Sequence, residues 1–152
     1  MFRSLGSLVI SATLGLSGSS LAYAGEMPKV EYNAMLKRAD ARITIVEATA
    51  QKRVASSAPR ERVKASFLAW ARTETQLGKS FRSISPPARA AKANDLLARG
   101  EIAFGSELAQ AAAHLPSNQR AIAPYLQRTL GHAKGAGMID RALSLLKKAG
   151  YA

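Results

Sequence analysis

The chain contains no cysteine, so a disulfide framework, a thiolate metal site and a cysteine nucleophile are all closed to it. Aromatic residues are few: one Trp, four Tyr and four Phe in 152 residues. None of them interleaves with the basic stripes described below, so stacking on the bases of single-stranded nucleic acid is not supported. Acids are also scarce, 10 against 22 lysines and arginines, which leaves a formal net charge of +12. Beyond the amino-terminal segment no apolar run approaches the roughly 20 residues that a membrane-spanning helix needs. Stability must then come from an apolar core, and a chain of this length can bury one.

The first residues have a pattern of their own. Met1-Phe2-Arg3 supplies a positive start, Leu5 to Leu21 an interrupted apolar core, and Ala22-Tyr23-Ala24 small residues at −3 and −1. Together these are the three parts of a cleavable secretory signal, and cleavage is expected after Ala24. The alternative, an uncleaved anchor, is disfavoured because Gly and Ser break the run early. No twin-Arg pair is present, and no cysteine is available for lipidation. The expectation is a signal at residues 1–24 and a single domain at 25–152, secreted or free in the periplasm. Arg3 is the sole charged residue of the signal, so the domain keeps +12 less that one charge. So basic a domain associates with polyanions at low salt, although basic composition alone is also common among exported proteins.

Breakers gather at three places, Ala55-Ser56-Ser57-Ala58-Pro59, Ser83-Ile84-Ser85-Pro86-Pro87 and Leu115-Pro116-Ser117-Asn118. They cut the domain into four segments of helical length, and no alternating strand pattern occurs. The first runs from about Pro28 to Val54, with an apolar stripe of Tyr32, Met35, Ala39, Ile43, Val46 and Ala50. The second runs from about Pro59 to Ser83 behind a cap at Ser56 or Ser57, with Val63, Phe67, Trp70, Leu77, Phe81 and Ile84 on one side. The third is expected to begin at Ser85-Pro86 and carries Leu97, Gly100, Phe104, Leu108, Ala111 and Leu115. The fourth begins near Ser117 or Asn118 and carries Ile122, Leu126, Leu130, Ala133, Ile139, Leu143 and Leu146. The reading is all-α, an antiparallel four-helix bundle of up-down-up-down topology. Its weak point is Gly131 to Gly137. Three glycines in seven residues cost about 1 kcal/mol each against Ala in a helix interior, so the last segment is expected to kink or split there. Packing of small residues against Trp70 or Phe104 would explain them.

Few residues carry chemistry. Glu74 falls on the stripe between Trp70 and Leu77. Thr73 fits the same spacing, and the reading preferred is Thr73 inward with Glu74 at the edge. His114 and His132 lack the carboxylate and thiolate company of a metal site, and no haem-attachment motif exists. Surface or capping roles are expected for both. There is no nucleophile elbow and no phosphate loop, so an enzyme is not expected and no cofactor or metal is assigned. Arg72, Lys79 and Arg82 share a face of the second segment, and Arg89, Lys92 and Arg99 one of the third. Lys134, Arg141 and Lys148 recur on the fourth. If the stripes adjoin, they form a patch suited to phosphates or carboxylates.

Three stretches carry a resemblance: Tyr32 to Asp40 (Tyr-x-x-x-Leu-x-x-Ala-Asp), Phe81-Arg82-Ser83-Ile84-Ser85-Pro86-Pro87-Ala88, and Leu145-Leu146-Lys147-Lys148-Ala149-Gly150-Tyr151. With them the chain resembles a diffuse group of small exported all-helical bacterial proteins and lipoproteins of the actinobacterial type. The resemblance implies a helical fold and an exported location, and it transfers no activity or site residue. The chain departs from the group in lacking the lipobox cysteine and the paired cysteines that some members carry. The expected function is non-enzymatic association with anionic envelope components or an acidic protein partner. A small-ligand or haem carrier with an interhelical pocket near Trp70, Phe104 and the glycine run is one alternative, and a periplasmic holdase-type chaperone another.

Overall fold

A computed structural model describes residues 25–151, so the expected signal at 1–24 lies outside the described residues. The described residues form five α-helices: α1 (Lys29–Ala55), α2 (Arg60–Arg82), α3 (Ala91–Ala113), α4 (Gln119–Leu130) and α5 (Lys134–Lys148). Among the described residues there is no strand.

Helix starts are set by proline more than by hydroxyl caps. Pro28 precedes α1, and Glu31 stands in the first turn where a carboxylate offsets the helix dipole. The cap expected at Ser56 or Ser57 is not made. Ser56 ends α1, Ser57 takes a left-handed φ of 51°, and Pro59 precedes α2. The third segment also starts later than the sequence implies. Pro86 and Pro87 hold their predecessors extended, a 3-10 turn follows at Ala88–Ala90, and α3 begins only at Ala91. Two bonds pin the segment before α1 to this connection: Met27 N–H donates to the Ser85 carbonyl at 2.7 Å and Ala88 N–H to Glu26 Oε1 at 2.7 Å.

The fourth segment does split. Asn118 Oδ1 accepts from Arg120 N–H at 3.0 Å and caps α4; α4 then ends at Leu130, and α5 starts after Ala133. The first amides of α5 are taken up from another helix: Lys134 and Gly135 donate to the Glu107 carboxylate at 2.9 and 3.1 Å. Gly135 also explains one of the three glycines, because a Cβ there would collide with the Phe104 backbone. At the far end Gly150 adopts φ +78°, and Tyr151 N–H bonds back to the Leu146 carbonyl at 2.9 Å. That left-handed stop folds Tyr151 onto the core beside Leu146.

Two apolar clusters occupy the interior. One gathers Tyr32, Leu36, Ala39 and Ile43 of α1, Leu77 and Phe81 of α2, Ala93, Leu97 and Ala98 of α3, and Ile139, Ala142 and Leu146 of α5. The other joins Ala50, Val63, Phe67, Trp70, Leu108 and Ala111 to Ile122, Leu126 and Leu130 of α4. The stripe of α1 runs through Leu36, which is buried, while Met35 is half-buried. Between the two clusters α2 and α3 cross so closely that a Cβ on Gly78 would stand 2.7 Å from the Ala98 carbonyl oxygen.

Candidate functional site

The α2–α3 crossing fixes which flanks of the two helices share a side. Gly78 faces Ala98 and Ile102, and Gly105 faces Ala71 and Thr75, so the helices run antiparallel. On one side Trp70 meets Phe104 edge-on, ring centres 5.6 Å apart, and there α1 and α5 close the core. The opposite side of the crossing is open to solvent, with Leu68 of α2 and Ile102 and Ala109 of α3 half-buried along it.

Arg72 and Lys79 stand seven residues apart on the open flank of α2, and Lys92 and Arg99 seven apart on the matching flank of α3. Both pairs are exposed, as is Arg82 at the end of α2. Arg89 is exposed too, but it lies in the 3-10 turn before α3 and not on that helix's face. The expected stripe Arg89-Lys92-Arg99 is thus a helical pair preceded by a turn residue, because the paired prolines delay the helix.

Four of the five acids of α2 and α3 are kept away from this flank. Glu61 pairs with Arg60 at 2.7 Å at the far end of α2, and Glu107 is occupied with the start of α5. Glu74 and Glu101 are both 2% exposed and lie inside. Trp70 Nε1–H donates to Glu74 Oε1 at 2.6 Å. The preferred reading of Glu74 is therefore corrected: it turns inward and takes the indole hydrogen bond one turn away, while Thr73 is half-buried with its hydroxyl donating to the Ala69 carbonyl. Asp95 remains on the flank, paired with Arg99 at 2.8 Å one turn on.

Glu101 was not singled out from the sequence. Its signal is faint: Leu97, Glu101 and Leu108 share spacing, but Ala98 and Gly105, which make the surrounding helix surface small, gave no apolar contrast. A second buried polar link joins three helices, with Tyr32 OH donating to Asn94 Oδ1 at 3.0 Å and Asn94 Nδ2 to the Phe81 carbonyl at 2.8 Å. Burial, with the Tyr151 ring beside it, pushes the Tyr32 phenol well above its ordinary value.

His114 and His132 are both exposed. His114 follows the end of α3, with Nδ1 2.9 Å from the Gln110 carbonyl. Among the described residues no three His, Asp or Glu side chains come together as metal ligands, and no helix is long and apolar enough to cross a membrane. A shallow cleft of about 170 Å³ lies between α1 and α2, lined by Val46, Thr49, Arg53, Ala65, Ser66 and Ala69. No protein-family model matches the chain, and no curated protein or solved structure is significantly similar to it.

Proposed function

We propose that the protein is an exported, non-enzymatic helical bundle whose basic helix faces associate with anionic envelope components or an acidic protein partner. In this reading α1, α2, α3 and the broken pair α4–α5 are the four legs of an up-down-up-down bundle. The amino-terminal pattern from Met1 to Ala24 supports export.

The observation that carries the reading is the separation of charge on α2 and α3. Their exposed flank holds Arg72, Lys79, Arg82, Lys92 and Arg99, with Arg89 beside it, while Glu74 and Glu101 are withdrawn into the core. None of the lysines and arginines among the described residues is buried, so the surface is more basic than composition alone states. A field of that sign raises the local concentration of anions and weakens with salt.

Retention on immobilised heparin or on isolated wall polymer tests it. Elution should need moderate salt, and reversing Arg89, Lys92 and Arg99 to Glu should move elution to clearly lower salt. Elution unchanged by the three reversals would count against the reading.

A further inference from the structure

Resting on that reading, we infer that the open groove between α2 and α3 binds a linear phosphate chain, with cations contributed by both helices. Two walls define the groove. Arg72 and Lys79 stand on one and Arg99 on the other, over a floor of half-buried Leu68, Ile102 and Ala109, and Lys92 stands in the first turn of α3 just beyond the end of α2. Seven residues of helix span about 10 Å, and packed helix axes lie about 8–10 Å apart. The close approaches at Gly78 and Gly105 place Lys79 across from Arg99, with Arg72 and Lys92 about 10 Å away towards either end, so a linear chain of phosphates meets successive cations along one line, each within about a screening length of the next.

Acid placement favours this strip over other basic regions. Of the acids on α2 and α3, Glu61 is paired at the far end, Glu74 and Glu101 are interior, and Glu107 holds the start of α5. Asp95 alone faces the groove, and its pairing with Arg99 occupies one of the four cations. A bound phosphate must displace that carboxylate, so removing its charge should tighten binding.

The groove's chemistry also selects among polyanions. Protein interfaces are anchored by exposed apolar or aromatic residues, whereas the large hydrophobics exposed among the described residues are Val30 and Ile45, both on α1. No aromatic residue is available for stacking in the groove, and no apolar side chain projects for insertion into a bilayer. Both chains lose backbone freedom on ordering, but a carboxylate on a flexible side chain must also give up its rotamers for each contact made. What remains is a partner that contributes charge at close intervals along one line.

The experiment titrates the whole exported chain with linear inorganic polyphosphate, poly-glutamate of equal charge, and phosphatidylglycerol–phosphatidylcholine vesicles. With four phosphate contacts the affinity for polyphosphate should fall roughly 50-fold between 50 and 200 mM salt. The triple variant Arg72→Glu, Lys79→Glu, Arg99→Glu should bind it at least about tenfold more weakly. A variant with the same charge change elsewhere, Lys52→Glu, Arg120→Glu, Arg128→Glu, should lose no more than about threefold, and Asp95→Asn should gain about threefold. Equal losses in the two triple variants would overturn the groove while leaving the broader polyanion reading standing. Poly-glutamate or vesicles binding as tightly as polyphosphate would overturn the choice of ligand. No binding to any of the three would remove both proposals.

Discussion

The two apolar clusters are built from the same three long helices and closed by two halves of one sequence segment, yet the halves are held differently. At the Tyr32 end, α5 is seated against α3 by Gly135 on the Phe104 backbone, capped by Glu107, and stopped by Gly150 so that Tyr151 packs edge-on to Tyr32 at 5.6 Å. At the Trp70 end, α4 lays Ile122, Leu126 and Leu130 on the core between two chain breaks. Its entry is tied by Gln119 to the Ala58 carbonyl and by Arg60 to the Leu115 carbonyl. Apolar burial of similar kind therefore comes with backbone fixation in one half and a tethered flap in the other. Backbone freedom decides how far a helix can settle into a gap.

The sharpest way to break this comparison is a matched pair of truncations. Leu146 and Leu126 are both fully buried, and Leu→Ala at either should cost about 2–5 kcal/mol in denaturant unfolding. Leu146→Ala should sit at the upper end because fixed α5 cannot close the cavity, and Leu126→Ala lower because α4 can. Equal costs, or equal protection of α4 and α5 amides in hydrogen exchange, would remove the distinction.

Next in size is Gly135→Ala, which drives a methyl group into Phe104 and should cost about 1–3 kcal/mol, read as a lower midpoint. Trp70→Phe keeps the ring on Phe104 but removes the indole hydrogen bond to the buried Glu74 carboxylate, and a loss of about 1–3 kcal/mol is expected. A loss confined to tenths would mean that Glu74 is satisfied without the indole.

The Tyr32 end also predicts a pH dependence. A phenol whose folded value is raised above its unfolded value, near 10.0, binds its proton more tightly in the native state. Its contribution is whole below that pH and declines as pH rises above it, when the unfolded chain alone ionises. Unfolding midpoints should be level to about pH 9 and fall beyond it, and Tyr32→Phe should flatten that fall. Smallest, and opposite in sign, is Gly137→Ala. Nothing stands within 4 Å of a Cβ there, so α5 should gain up to about 1 kcal/mol from better helix propensity.

Much of the architecture was legible. Periodicity and breakers located the helices, and the glycine run marked the α4–α5 division, with Trp70 or Phe104 as the expected packing partner and Phe104 the one that Gly135 meets. Helix starts were less so: hydroxyl residues at 56, 57 and 85 satisfy the usual capping rule, but the prolines after them hold the chain extended and push each start downstream. The inward turn of Glu74 was missed because helical spacing places residues 73 and 74 equally well on the stripe. Only the neighbouring indole and the close approach of α3 distinguish them.

By itself, then, the sequence determined the helical class, the charge excess, the missing thiol chemistry and the faces on which basic residues recur. Each of these depends on residue type and on spacing within one segment. The tertiary structure decided which faces share a side. Gly78 and Gly105 bring α2 and α3 into close antiparallel contact, with Glu74 and Glu101 inside and Arg72, Lys79, Lys92 and Arg99 exposed. Such pairing depends on how two distant helices rotate about their axes, and no periodicity within either one encodes it.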